Sequence, residues 1–85
     1  MKYELSIEKA AQRSLARVPQ PYQDRMIEAI AGLADEPRPL GAKKLAGRSA
    51  WRIRVGDYRV IYEVDDGRHK ILVISAGNRR DIYRQ

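Results

Sequence analysis

Trp51-Arg52-Ile53-Arg54-Val55-Gly56-Asp57-Tyr58-Arg59-Val60-Ile61-Tyr62-Glu63-Val64 is the stretch that decides the fold. Trp51, Ile53 and Val55 alternate with Arg52 and Arg54; past Gly56-Asp57, Tyr58, Val60, Tyr62 and Val64 alternate with Arg59, Ile61 and Glu63. Side chains on a strand point to opposite faces in turn, so each run is a half-buried strand. A Gly-Asp pair between two such runs is the signature of a two-residue hairpin loop with glycine first. That loop sets the register: Val55 opposite Tyr58, Arg54 opposite Arg59, Ile53 opposite Val60 and Trp51 opposite Tyr62. One face is then wholly apolar or aromatic and must pack, which makes Trp51, Tyr58 and Tyr62 core residues. The other carries Arg52, Arg54 and Arg59.

Working outward, Asp65-Asp66-Gly67-Arg68 forms the next turn, and Lys70 to Ala76, apolar on both faces, reads as an interior strand that Gly77 ends. The tail from Asn78 to Gln85 is polar and basic around Ile82 and Tyr83. Toward the N-terminus, Gly41 to Ser49 has no sustained period and reads as a basic connection with at most one helical turn. Tyr3, Leu5 and Ile7 alternate with Lys2, Glu4 and Ser6 as a first strand. Ala11, Leu15 and Val18 then fall at helical spacing until Pro19. Pro21 suits the first turn of a second helix, whose apolar stripe is Met26, Ile27, Ile30, Leu33 and Ala34, closed by Asp35-Glu36-Pro37-Arg38-Pro39. The expected fold is α+β in the order β-α-α-β-β-β: two antiparallel helices on one face of a mainly antiparallel four-stranded sheet, residues 1–85 forming one domain.

Composition narrows the function. With 85 residues there is room for one modest core, and with no cysteine a disulfide-stapled secreted fold is excluded, which makes the cytoplasm the expected compartment. No run is apolar enough to span a membrane, and the charged N-terminal stretch does not suit a signal peptide, so a soluble chain starting at Met1 is expected. The net charge is +6, and it is segregated: residues 1–40 hold six basic and six acidic side chains, residues 41–85 eleven and five. Such a surface suits a polyanion, either nucleic acid or an acidic protein.

The arginine face is where chemistry is expected. Like charges directly opposite on adjacent strands cost a few tenths to about 1 kcal/mol, and a bound phosphate removes that repulsion. Arginine's planar fork grips a phosphate with two parallel hydrogen bonds. Glu63 shares this face as a salt-bridge partner for Arg52 or a proton carrier. His69, the one histidine, sits in a turn away from it and reads as an ordinary polar turn residue. The sequence has no metal-ligand cluster, Gly-rich phosphate loop or Ser/His/Asp arrangement, and neither a metal nor a cofactor is expected.

The run from Trp51 to Val64, followed by Ile71-Leu72-Val73-Ile74-Ser75-Ala76-Gly77-Asn78-Arg79-Arg80-Asp81-Ile82-Tyr83, resembles RelE-type toxins of the RelE/ParE superfamily. The likeness extends over the first strand, the two helices and the Lys43-Lys44-Leu45-Ala46-Gly47 connection. It implies a ribosome-dependent endoribonuclease that cuts mRNA, working without metal and silenced by a cognate acidic antitoxin. By position, the family's basic residues before the hairpin turn fall on Arg52 and Arg54, the arginine after it on Arg59, the one after the last strand on Arg79, and the C-terminal tyrosine on Tyr83. The resemblance thus implies a catalytic set of Arg54, Arg59, Arg79 and Tyr83, with Lys43, Lys44, Arg48, Arg52 and Arg80 as RNA contacts. Three positions depart from the pattern: arginines 52 and 54 stand where the best-known member has lysines, and Asn78 where many have histidine. Arginine does not give up a proton, so catalysis would rest on charge stabilisation and in-line geometry. The same architecture also serves ParE-like toxins that inhibit DNA gyrase, and a non-catalytic basic RNA- or protein-binding module is the alternative outside both.

Overall fold

In the computed structural model, residues 2–46 and 49–78 are described. The order is β1 (Glu4–Ile7), α1 (Lys9–Ala16), α2 (Tyr22–Gly32), β2 (Lys43–Lys44), β3 (Ala50–Val55), β4 (Tyr58–Asp65) and β5 (Lys70–Asn78). The sheet has five strands, not four, in the order β1-β5-β4-β3-β2. The extra strand lies in the basic connection, where Lys43 pairs with Arg52 and Lys44 with Trp51. Two residues are too short to show a period. Pairing is antiparallel from β2 to β5, while β1 runs parallel to β5.

The hairpin has the register set by its loop, from Val55↔Tyr58 through Arg54↔Arg59 to Trp51↔Tyr62. Gly56 supplies the positive φ of 61° that a glycine-first turn needs, and Tyr22 of α2 lies 3.5 Å from where a side chain would begin there. β5 is interior, but it continues through Gly77 to Asn78, past the end the sequence suggests. A register shift near Ile61/Tyr62 sets Ile61 opposite Ser75 but Tyr62 opposite Val73, so Ile74 has no counterpart in β4.

Both helices cover the hairpin's apolar face. Ala11, Leu15 and Val18 from the first helical segment and Met26, Ile30 and Leu33 from the second close over Ile53, Val60, Tyr62, Ile71, Val73 and Ala76. Met26, Leu33, Val60, Tyr62, Ile71 and Val73 are fully buried, each contributing roughly 1.5–3 kcal/mol through burial. Tyr62 is the centre of this core. Trp51 and Tyr58 pack at its margin, half-buried. Ile27, expected in the helical stripe, is instead 48% exposed, because one turn of α2 already presents Met26 and Ile30 to the sheet.

Candidate nucleic-acid interface

Alternation along β3 and β4 carries Arg52, Arg54 and Arg59 to the face opposite the helices. The cross-strand rows of that face run Lys43–Arg52–Ile61–Ser75 and Arg54–Arg59–Gly77. Lys43 therefore joins the arginines, whereas Lys44, paired with Trp51, has the parity of the helix side. Arg48, Arg79, Arg80 and Tyr83 lie outside the described residues.

The face is not the open array of splayed side chains that alternation alone suggests. Arg54 is exposed, but Arg52 and Arg59 are only 8% and 7% exposed. Arg54 and Arg59 each have an interaction partner. The Nε of Arg52 is buried and has none. Burying a guanidinium and leaving one of its donors unsatisfied is costly, and an anion's oxygen is the group that would satisfy it. Glu63 does not supply that oxygen: it is exposed and stands between Ala50 and Leu72, while the residue opposite Arg52 is Ile61. The Arg52–Glu63 pairing is absent because the two lie in different cross-strand rows.

A second cluster lies on the packed side of the hairpin, away from the arginine face. Arg38, in the α2–β2 connection, donates from Nη2 to Asp66 Oδ2 at 2.6 Å and from Nη1 to Asp66 Oδ1 at 3.3 Å. Tyr3 donates its hydroxyl to Asp66 Oδ1 at 2.7 Å, and the Arg38 guanidinium sits 5.1 Å from the centre of the Trp51 ring. The Arg38 guanidinium and the Tyr3 hydroxyl both hold the Asp66 carboxyl below its ordinary range, while the hydrogen bond to Asp66 raises Tyr3. One residue earlier, the Pro37 carbonyl accepts a 2.6 Å hydrogen bond from the buried Tyr62 hydroxyl, which burial pushes up to about 12. The connection is thereby pinned to the hairpin's packed side. Sequence gave no sign of this, since Tyr3, Arg38 and Asp66 are far apart in the chain and ordinary surface types. His69 lies with this cluster, its ring centre 5.1 Å from that of Tyr3, away from the arginine face as expected.

Residues 5–83 match the family described as ParE toxin of type II toxin–antitoxin system, parDE. The chain is 35% identical over 86 residues to Toxin RelE of Mycobacterium tuberculosis, covering 96% of this chain and 87% of that protein. It is 30% identical to Toxin RelG of the same organism, over 100% of both chains. Its fold is similar to that in the crystal structure of the archaeal RelE–RelB complex from Pyrococcus horikoshii OT3, with a TM-score of 0.82 and 32% identity over 93% of this chain and 97% of that one.

Proposed function

The chain belongs to the RelE/ParE superfamily of type II toxins, and from that premise we propose that it arrests translation by cutting mRNA on the ribosome. The observation that carries this reading is the cross-strand pair Arg54–Arg59 beside the buried, unsatisfied Nε of Arg52. A phosphodiester placed there meets fixed positive charge on its non-bridging oxygens. In the reaction, the RNA 2′-oxygen attacks the adjacent phosphorus, the bond to the 5′-oxygen breaks, and a 2′,3′-cyclic phosphate is left. The proton leaves the 2′-hydroxyl and one is returned to the departing 5′-oxygen. The arginines do not act as the base. They stabilise charge as it grows on the phosphoryl oxygens, a contribution strongest in the transition state.

In this reading Arg54, Arg59, Arg79 and Tyr83 form the catalytic set, the guanidinium groups filling the role a metal would otherwise take, and Lys43, Lys44, Arg48, Arg52 and Arg80 hold the RNA. Of the lysines, Lys43 has the better position. A cognate acidic antitoxin restrains the toxin, a role supported by the relative solved as a RelE–RelB complex. Its place of action is the cytoplasm, where ribosomes are; among the described residues no helix is long and apolar enough to cross a membrane.

The matching family's ParE description favours one rival, gyrase inhibition. Purified protein added to translating ribosomes, with mRNA 3′ ends mapped, separates the two: cleavage yields new ends at the decoding position. Intact mRNA together with blocked gyrase supercoiling would instead establish the rival.

A further inference from the structure

The open face of the sheet continues past the arginines. The next cross-strand row on that face is Ala50–Glu63–Leu72–Ser6, followed by Asp65–Lys70–Glu4. A cavity of about 590 Å³ spreads over these rows, lined by Ser6, Ser49, Glu63 and Leu72 together with Asp65 and Asp66. Leu72 is half-buried, whereas both serines and Glu63 are exposed. Two of the three lining carboxylates are already engaged: Asp66 accepts from Arg38 and Tyr3, and Asp65 accepts from the backbone N–H of Arg68 at 3.0 Å. The Glu63 carboxylate has no partner among the described residues. Along β3 and β4 its row lies two residues from Arg52 and Ile61, roughly 7 Å. On β5 the unpaired Ile74 falls between the two rows, and a bulge of this kind bends its strand.

We propose that this cavity receives a guanine base of the RNA whose phosphate lies on the arginine rows, and that Glu63 selects it. This rests on the RNA-cutting reading and adds to it a base-reading site. The row spacing suits it, since roughly 7 Å along a strand is within reach of a base from a neighbouring phosphate. Charge decides which part of the RNA enters: Glu63 and Asp65 repel a phosphate and leave room for an uncharged base. Hydrogen-bond chemistry decides which base. A carboxylate only accepts, and guanine alone among the RNA bases presents two adjacent donors, N1–H and N2–H, on its Watson–Crick edge. Both Glu63 oxygens are then used. Adenine and cytosine carry a ring-nitrogen acceptor beside their amine, and uracil flanks its N–H with two carbonyls, so each sets an acceptor against the carboxylate. Unstacked bases of single-stranded RNA are read on this edge. Leu72 offers the ring an apolar contact, and the Ser6 and Ser49 hydroxyls are donors available to the guanine O6.

Inosine, which is guanine without the N2 amine, isolates the second of these hydrogen bonds. Fluorescence anisotropy of the purified protein at low salt, with short 2′-O-methyl oligoribonucleotides that differ only in one guanine or inosine, reads binding without a ribosome and without cleavage. The wild-type chain is expected to bind the guanine oligomer about 10- to 100-fold more tightly. Glu63→Gln, an isosteric change at an exposed position, offers one acceptor in place of two and should bind both oligomers alike. Glu28→Gln removes the same charge from an exposed position on α2 and should keep the wild-type preference. Because the preference is a ratio within one protein, a general loss of affinity or folding cancels from it. A wild-type chain that binds the two oligomers equally or binds neither, a Glu63→Gln chain that keeps the preference, or a Glu28→Gln chain that loses it overturns the proposal. The cleavage reading fails separately: a chain that prefers guanine through Glu63 yet cuts no mRNA refutes cleavage and retains the base site.

Discussion

The two faces of the β3–β4 hairpin share one backbone and one register, yet different forces hold them. On the helix side, Ile53, Val60 and Tyr62 are buried among apolar neighbours from both helices and β5. On the other side, Arg52 and Arg59 are buried to nearly the same degree while carrying charge, and one donor of Arg52 is unsatisfied. Burial therefore means opposite things on the two faces. It stabilises the first through removal of apolar surface from water, and on the second it weakens the hold of water on groups proposed to grip an anion. A packing face tolerates substitution in proportion to volume lost, whereas a charged face responds to the loss of single atoms.

That contrast is open to direct attack. The largest effect on stability is expected at Tyr62: Tyr62→Ala should lower unfolding free energy by about 3–5 kcal/mol, measured by urea denaturation, and a loss below about 1 kcal/mol would place the core elsewhere. Trp51→Ala, at the half-buried margin, should lose about 2–3 kcal/mol through packing and its contact with Arg38. The arginine face should show the reverse profile. Arg59→Ala is expected to cut mRNA about 10²–10³-fold more slowly with less loss of stability than Tyr62→Ala. A folded variant cutting at the wild-type rate would remove Arg59 from the catalytic set.

Smaller effects sharpen the comparison through pH. The Tyr62 hydroxyl titrates near 12 when folded and near 10 when unfolded, so its contribution is complete below pH 10 and is lost as pH rises through 12. Tyr62→Phe should flatten that alkaline decline, at a cost of about 1–2 kcal/mol near neutrality for leaving the Pro37 carbonyl unpaired. Asp66 has the opposite sign. Its folded pKa is depressed, chiefly by Arg38, so its contribution is present above the ordinary carboxylate value and fades as pH falls below it. Asp66→Asn should reduce the acid slope of stability, the weakest of these changes because the pair is exposed. An unchanged slope would show that the cluster does not hold the connection.

Legibility in the sequence followed the range of each interaction. The hairpin register was fully readable because a two-residue loop and a period of two leave one solution. The helices were readable from their stripes, except that Ile27 matched the stripe and still faces out. The short β2, the parallel partner of β1 and the Tyr3–Arg38–Asp66 cluster were not, since each depends on residues brought together only by the completed fold. At the site, alternation placed Arg52, Arg54 and Arg59 on one face correctly. It could not show that two of them are buried, because sequence pattern records direction and not depth.

The parallel register of β1 and β5, with Leu5 beside Ile71, has a consequence for how the molecule is made. Strands β3 to β5 are joined by short turns and are expected to form first, since closing near contacts costs little chain entropy. β1 leaves the ribosome before any other strand and must wait for the last one to find its place. Its docking is accordingly expected late in folding, and a chain lacking β5 has neither a partner for β1 nor the last strand of the arginine rows. Leu5→Ala should speed unfolding while leaving the folding rate nearly unchanged. By this topology the β1–β5 edge of the sheet and the completed arginine rows are assembled only once β5 is in place.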